Sequence, residues 1–273
     1  MLHSIIIPHR DRNANLELCL WSLRTAAGIS GDYAYEIILV DGGSKQLELR
    51  WPHYATKLIT LPRTDPLNKP ALLNAGIEAA SGSAITFLDA DAVVAPRFFR
   101  SLRILNNPAI TKVCYRVKTL PLERVRHIDC AERASASAAL EGLFADYRGV
   151  IRREAYVRPD FFTTRRSFRR KGPVFGNSQF SIRRKTLGDL RFDEEFSGHG
   201  YEDIDLNWRI WREHFETYKA VMVTNGNHAM YHLDNPRDFI AQWGLGGGER
   251  NVRRYRYAYG QWKRAMRKKG VQV

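Results

Sequence analysis

The chain has 273 residues, of which 44% are hydrophobic and 26% charged, with a formal net charge of +14. These are the proportions of an ordinary soluble globular protein, which excludes collagen-like, low-complexity and disulfide-stapled classes. No run approaches the roughly 18 apolar residues of a spanning helix, and MLHSIIIPHR carries too short an apolar run for a secretory signal, so cytoplasmic placement is the expectation.

In chain order, HSIIIP and YEIILV are short β-branched apolar runs that stop at turn signals, Pro8 and the Asp41-Gly42-Gly43 sequence. Between them Leu16, Leu20, Leu23 and Ala27 recur at helical spacing, with Asp11 as the expected N-cap. KLIT reads as a third strand. Asn68 then caps a helix, KPALLNAGIEAASG, with proline in its first turn and Gly82 at its end. AITFL, from Ala84 to Leu88, is a fourth strand, and it runs directly into Asp89 and Asp91. Strand periodicity aims those two carboxylates to one side, and like charges so placed repel unless something positive sits between them.

The second half is less regular. RVRHIDCAERASASAALEGLFADYRGVI reads as helical, GNSQFSIRRKTL as a strand entering a short helix, and EDIDLNWRIWREH as a helix with Ile204, Trp208 and Trp211 on one face. YKAVMVT is a further strand, and a helix follows DNPRD. Cys19, Cys114 and Cys130 are scattered with no CxxC, which fits a reducing compartment and no zinc site. Strands alternating with helices from the first residue predict a parallel sheet covered on both faces. Ligands of such sheets bind at the carboxyl ends of the strands, where Pro8-His9-Arg10, Asp41-Gly42-Gly43-Ser44 and Asp89-Ala90-Asp91 all fall.

The ordered set IIIPHR, ILVDGGS, LNAGIEAASGSAITFLDADAVV, GNSQFSIRR and FDEEFSGHGYEDIDLNWRIW resembles family 2 glycosyltransferases. The resemblance runs from about residue 3 to residue 235. It implies an α/β chain of the GT-A fold, a Rossmann-like, mainly parallel central sheet flanked by helices. Residues 1–120 form the nucleotide-binding half and 121–235 the acceptor and catalytic half. Residues 236–273 are expected to be a basic, aromatic helical extension.

The resemblance further implies an inverting, metal-dependent transfer from a nucleotide diphosphate sugar. A divalent ion, Mn²⁺ or Mg²⁺, neutralises the charge that grows on the diphosphate as it leaves. By the family pattern Asp91 binds that metal and Asp89 serves the ribose side. A later histidine completes the metal site; His232, 30 positions after Glu202, is preferred over His228. Asp203 matches the base that takes the acceptor proton, with Glu202 beside it on a sugar and Asp205 capping or pairing within the helix. Gly198-His199-Gly200 precedes that pair, and glycine there lets a sugar approach the backbone; His199, Gly200 and Trp243 are the acceptor-side candidates.

Pro8, Arg10 and Asp41 match the positions that hold the nucleotide base. The base is uracil on the family's commonest usage, while guanosine and thymidine donors also occur. Asn74 matches a donor position, but the arginine that often precedes it is Leu73 here, which moves the phosphate contact to Arg63 or Lys69. Asn177 is expected in the floor under the donor sugar.

The acceptor is left to the basic segments. Residues 148–171 hold nine Lys/Arg against two acids, and residues 250–273 hold nine and no acid, so these stretches exceed the whole net charge. Phe161, Phe162 and Phe168 interleave with the first, and Tyr255, Tyr257, Tyr259 and Trp262 with the second. Such patterns suit a glycan or lipid-linked glycan acceptor at an anionic membrane face, with the enzyme peripheral to it. The alternative is a hydroxylated base in DNA, flipped from the duplex and held by stacking aromatics.

Overall fold

The computed structural model describes residues 1–31, 33–49, 55–115, 118–120, 136–145, 179–198, 200–214, 217–223 and 230–233, with 251, 253, 254, 260, 264, 267 and 268 near the C-terminus. Seven strands form the main sheet in the order β3-β2-β1-β4-β8-β6-β9. They are β1 (His3–His9), β2 (Tyr35–Asp41), β3 (Lys57–Thr60), β4 (Ala84–Phe87), β6 (Lys112–Tyr115), β8 (Phe180–Arg183) and β9 (Ala220–Val223). β3, β2, β1 and β4 run parallel, β8 runs antiparallel to both of its neighbours, and β6 and β9 are parallel to each other. A second, three-stranded sheet joins β5 (Ala92–Val94), β10 (Met230–Leu233) and β7 (Lys118–Leu120) in the order β5-β10-β7.

The apolar runs of β1 and β2 are continuous because both sheet faces are covered. Ile5, Ile7, Ile37 and Leu39 face one core with Leu16, Leu20 and Leu23 of α1 (Asn13–Ser30). Ile6, Ile38 and Val40 face the other, with Leu72, Leu73 and Ile77 of α2 (Lys69–Ala79). A side chain at Gly76 would collide with Ile6, so glycine sets how closely α2 lies on β1. Three further helices are α3 (Phe98–Leu102), which runs into a 3₁₀ turn over Arg103–Asn106, α4 (Ala136–Ala145) and the single turn α5 (Arg184–Leu187). α4 packs Phe144 on Tyr231 of β10, ring centroids 4.7 Å apart.

The helix α6 (Glu202–Glu213) buries Leu206 and Ile210 in the α2-side core; Trp208 and Trp211 are buried and meet edge to face, and Ile204 is half-buried. Of the capping and pairing roles expected of Asp205, the structure shows pairing, with Arg209 one turn on at 2.7 Å.

Two local expectations are corrected. Asp11 does not cap α1: Arg12 holds the N-cap position without a side-chain bond. Asp11, at φ 54°, instead accepts from the Lys45 backbone N–H and the Arg63 guanidinium, tying β1 to the loop after β2. α2 is capped by Asn68, which accepts from Ala71 N at 3.1 Å, but it closes at Ala79. Gly82 is pressed against Ser4, to which its N–H donates at 2.8 Å. Among the described residues no helix is long and apolar enough to cross a membrane.

Candidate active site

β4 stops at Phe87, so Asp89 and Asp91 stand on a turn rather than in the strand, closed by Ala92 N–H donating to the Asp89 carbonyl at 3.0 Å. Their shared direction comes from that turn and from β10. Ala92 of β5 pairs with His232, and Leu233 N–H donates to the Asp91 carbonyl at 2.8 Å. This pairing brings the imidazole onto both carboxylates: Nε2 lies 3.5 Å from Asp89 Oδ2 and Nδ1 lies 3.6 Å from Asp91 Oδ1.

The outer oxygens carry cations. Arg12 donates to Asp91 Oδ2 at 2.7 Å, and Lys69, from the first turn of α2, donates to Asp89 Oδ1 at 2.5 Å. The two adjacent carboxylates are thus stabilised by an arginine, a lysine and a histidine around them. Gln179, the residue before β8, reaches both Asp89 and His232.

Lys69 also lies 3.9 Å from Glu202 and so joins the aspartate turn to α6. Burial alone would lower its pKa, but Asp89 and Glu202 outweigh that and raise it. Burial would raise Asp89, yet Lys69 and His232 hold it well below the usual carboxylate range. At the head of α6 the balance reverses. Burial, then the neighbouring charge of Glu202, pushes Asp203 up to about 7, and burial raises Glu202 as well. Burial lowers His232, but Asp89 and Asp91 outweigh it and raise it overall.

Asp89, Asp91 and His232 each offer a ligand atom, and these atoms lie within 4.8 Å of one another. Two carboxylates and an imidazole are a donor set that fits Mn²⁺, with Mg²⁺ favoured less once nitrogen enters. The expected split, Asp91 for metal and Asp89 for ribose, is not visible in the geometry: both carboxylates approach His232 equally.

The other sequence candidates separate. Pro8 and Asp41 stand at the ends of neighbouring parallel strands, in register one residue apart. The Asp41 carboxylate accepts from both the backbone and the hydroxyl of Ser44, which closes its own turn. Arg10 donates to the Thr64 carbonyl and to Asp65, and Arg63 to Asp11 and the Gly43 carbonyl. Of the two phosphate candidates, Lys69 contacts the aspartate turn directly, and Arg63 bonds the loop at Asp11 and Gly43. The Asn74 carboxamide is committed to the Phe192 backbone, at 3.0 and 2.9 Å, and to Glu194 at 2.8 Å, so it anchors the loop before α6. Gly200, at φ 93°, stands two residues before Glu202, with Tyr201 at the N-cap of α6 between them. Asn177, His199, His228 and Trp243 lie outside the described residues, as do Phe161 and most of the basic segments.

Sequence reasoning missed Arg12 and Gln179. Gln179 sat inside a quoted motif, GNSQF. Arg12 follows Asp11 in a stretch whose local pattern signals only a helix start, and no local signal marks its partner 79 residues on.

The chain matches the family model described as Glycosyl transferase family 2 over residues 4–190, and it belongs to that family. No sequence among the curated proteins is a significant match. Among solved structures, S. aureus TarS is 14% identical with a TM-score of 0.55, over 89% of this chain and 38% of TarS. TarS 1-349 in complex with UDP gives the same identity and TM-score over 63% of that fragment. Glucosyl-3-phosphoglycerate synthase from Mycobacterium tuberculosis, in complex with Mn²⁺, UDP and glucosyl-3-phosphoglycerate, is 19% identical with a TM-score of 0.52, over 88% of this chain and 74% of that one. The chain spans well under two thirds of full-length TarS. These likenesses establish the GT-A fold expected from the sequence.

Proposed function

We propose that the protein moves a sugar from a uridine diphosphate sugar to an acceptor hydroxyl with inversion, assisted by a divalent ion. The observation that carries this reading is the junction at Lys69: one cation links an Asp-Asp-His metal-type donor set to a pair of carboxylates with raised pKa. The UDP and Mn²⁺ in structures of the same fold are consistent with it.

The chemistry assigns each group a task. Asp89, Asp91 and His232 would hold the ion, which offsets charge on the departing diphosphate. Asp203 accepts the proton of the attacking hydroxyl. The acceptor oxygen bonds C1 of the sugar as the bond from C1 to the diphosphate breaks, and its electron pair leaves with the diphosphate. A single displacement inverts C1 and needs no enzyme nucleophile. A carboxyl with a pKa of about 7 is a stronger base than an ordinary aspartate while still half ionised near neutrality. Glu202 orients the sugar beside it. Arg12 and Lys69, already within reach of the aspartates, complete the positive lining for phosphate.

The acceptor we favour is a glycan or lipid-linked glycan hydroxyl, with the enzyme held at an anionic membrane face by its basic segments. The test of the core reading is Asp203→Asn. UDP release from UDP-glucose or UDP-N-acetylglucosamine should fall by about 10²–10⁴-fold, the usual share of general base catalysis, with UDP–Mn²⁺ affinity kept within about twofold. In the wild type, kcat/KM should rise with pH through about 7, as Asp203 loses its proton. Transfer that survives the substitution with its pH limb intact refutes Asp203 as the base.

A further inference from the structure

The stretch that delivers Glu202 and Asp203 to the site is conformationally unfavourable. Gly198 and Gly200 have φ of 73° and 93°, and Tyr201, at the N-cap of α6, has φ 76°. A tyrosine in the left-handed region persists only where its surroundings dictate it. Tyr201 also provides α6 with no side-chain cap.

One side of this stretch is fixed by the α2 end of the fold. Gly198 N–H donates to the Leu67 carbonyl at 2.9 Å, and Asn68 and Asn74 hold Glu194 and Phe192. The other side is fixed by residues some 50 positions later. Asn251, Arg253 and Arg254 are helical, and Asn251 is 1% exposed. The Asn251 carboxamide nitrogen donates to the Ser197 carbonyl at 3.0 Å and to the Gly200 carbonyl at 3.1 Å, so one side chain bridges Ser197 and Gly200. Arg254 donates to Asp193 Oδ2 at 2.7 and 2.5 Å and stands 5.7 Å over the Phe196 ring.

We infer that Asn251 is a positioning residue for the transfer, acting through the Ser197–Gly200 turn on the carboxylates of Glu202 and Asp203, with Arg254 as its second anchor. The inference rests on the reading of Asp203 as base. It makes the basic C-terminal stretch part of the catalytic unit rather than only an appended contact surface. Asparagine suits the role because its NH₂ group has two hydrogens, one for each carbonyl. The bridge fixes the backbone just ahead of α6, where a shift of about 1 Å at the base costs on the order of 10²-fold in rate.

The experiment uses the full chain with Asn251→Asp, which keeps the size but sets a carboxylate against two carbonyl oxygens. Three quantities are read: kcat for UDP release from UDP-glucose or UDP-N-acetylglucosamine, the Kd for UDP with Mn²⁺, and hydrogen exchange at the Gly200–Asp205 amides. A positioning role gives a kcat about 10- to 100-fold lower, a Kd within about twofold of wild type, and faster exchange confined to that stretch. Wild-type kcat and exchange overturn the inference. So does a parallel loss of kcat, UDP affinity and melting temperature, which would mark general stabilisation. If Asn251→Asp does not fold, Arg254→Ala, at a side chain that is 37% exposed, is judged by the same readouts. Asp203→Asn is run beside them. Undiminished UDP release there overturns the assignment of the base, whereas a dead Asp203→Asn with a fully active Asn251→Asp overturns the positioning role alone.

Discussion

Replacing Lys69 by methionine tests the electrostatic frame of the site directly. The ammonium lies 2.5 Å from Asp89 and 3.9 Å from Glu202, with Lys69 and Asp89 side chains only 13% and 14% exposed. At an effective dielectric of about 20, those separations correspond to gross attractions of about 7 and about 4 kcal/mol. Desolvating the three groups cancels most of this, but removing one member of a buried pair leaves its partner uncompensated, at a cost of about 3–5 kcal/mol. The lower end is expected here, because His232 and Gln179 remain beside Asp89. The sign of the pH dependence follows from the shifts. Asp89 is held below its ordinary value in the wild type, so its contribution is present above about pH 4 and lost only as pH falls towards its depressed value. Lys69 is raised, so its share persists until strongly alkaline pH. In Lys69→Met, burial raises Asp89 unopposed by the lysine, and the folded variant takes up protons that the unfolded chain does not. The deficit should therefore be about 3 kcal/mol at pH 7.5 and shrink towards pH 5. Urea unfolding at both pH values measures it. A deficit below about 1 kcal/mol, or one unchanged between the two, refutes the claim that Lys69 holds the carboxylate frame together.

Two other outcomes follow from the site. Only the neutral imidazole binds a cation, and His232 is raised by its aspartates, so Mn²⁺ affinity measured by calorimetry should fall by up to tenfold per pH unit once the pH drops below the raised value, a slope that His232→Gln flattens; an affinity constant from pH 8 to pH 6 would remove His232 from the metal set. Asn74→Ala strips two bonds from the Phe192 backbone and one from Glu194, and should cost about 1–3 kcal/mol in urea unfolding while leaving UDP affinity within about twofold. A tenfold weaker UDP complex would support the donor role that the family pattern gives Asn74.

What was legible in the sequence was whatever depends on local pattern. β1 and β2 announce themselves because strands covered on both faces need uninterrupted apolar runs, and Ile5 and Ile6 enter opposite cores. Asn68 was readable as a cap because its bond to Ala71 is three residues long. Asp89 and Asp91 were placed on one side for a reason that does not hold: strand alternation ends at Phe87, and the turn and β10 do the aiming. The partners that make the site were not legible. Arg12 and Asp91 are 79 residues apart, and nothing local ties a lysine in the first turn of α2 to a glutamate at the start of α6. Asp11 shows the same limit in reverse, since its sequence context fits a cap equally well and only the loop packed against it takes its carboxylate away.

One cation and one pattern of burial set Asp89 apart from the carboxylates at the head of α6. Asp89 is close enough to Lys69 and His232 that their charges overcome its burial, and it stays ionised at any physiological pH. Asp203 is reached by the same lysine, but burial and the charge of Glu202 dominate there, and its pKa rises to about 7. Carboxyl groups that bind a cation must stay charged, whereas one that takes a proton gains from holding it more tightly; separated pKa values are how a site assigns both tasks to one residue type. The separation comes from burial and the charge of Glu202 at Asp203, set against Lys69 and His232 at Asp89. On the proposed reading, loosening the turn from Ser197 to Gly200 changes the burial of Asp203 and its approach to Glu202, and should move the pH limb of transfer along with its rate.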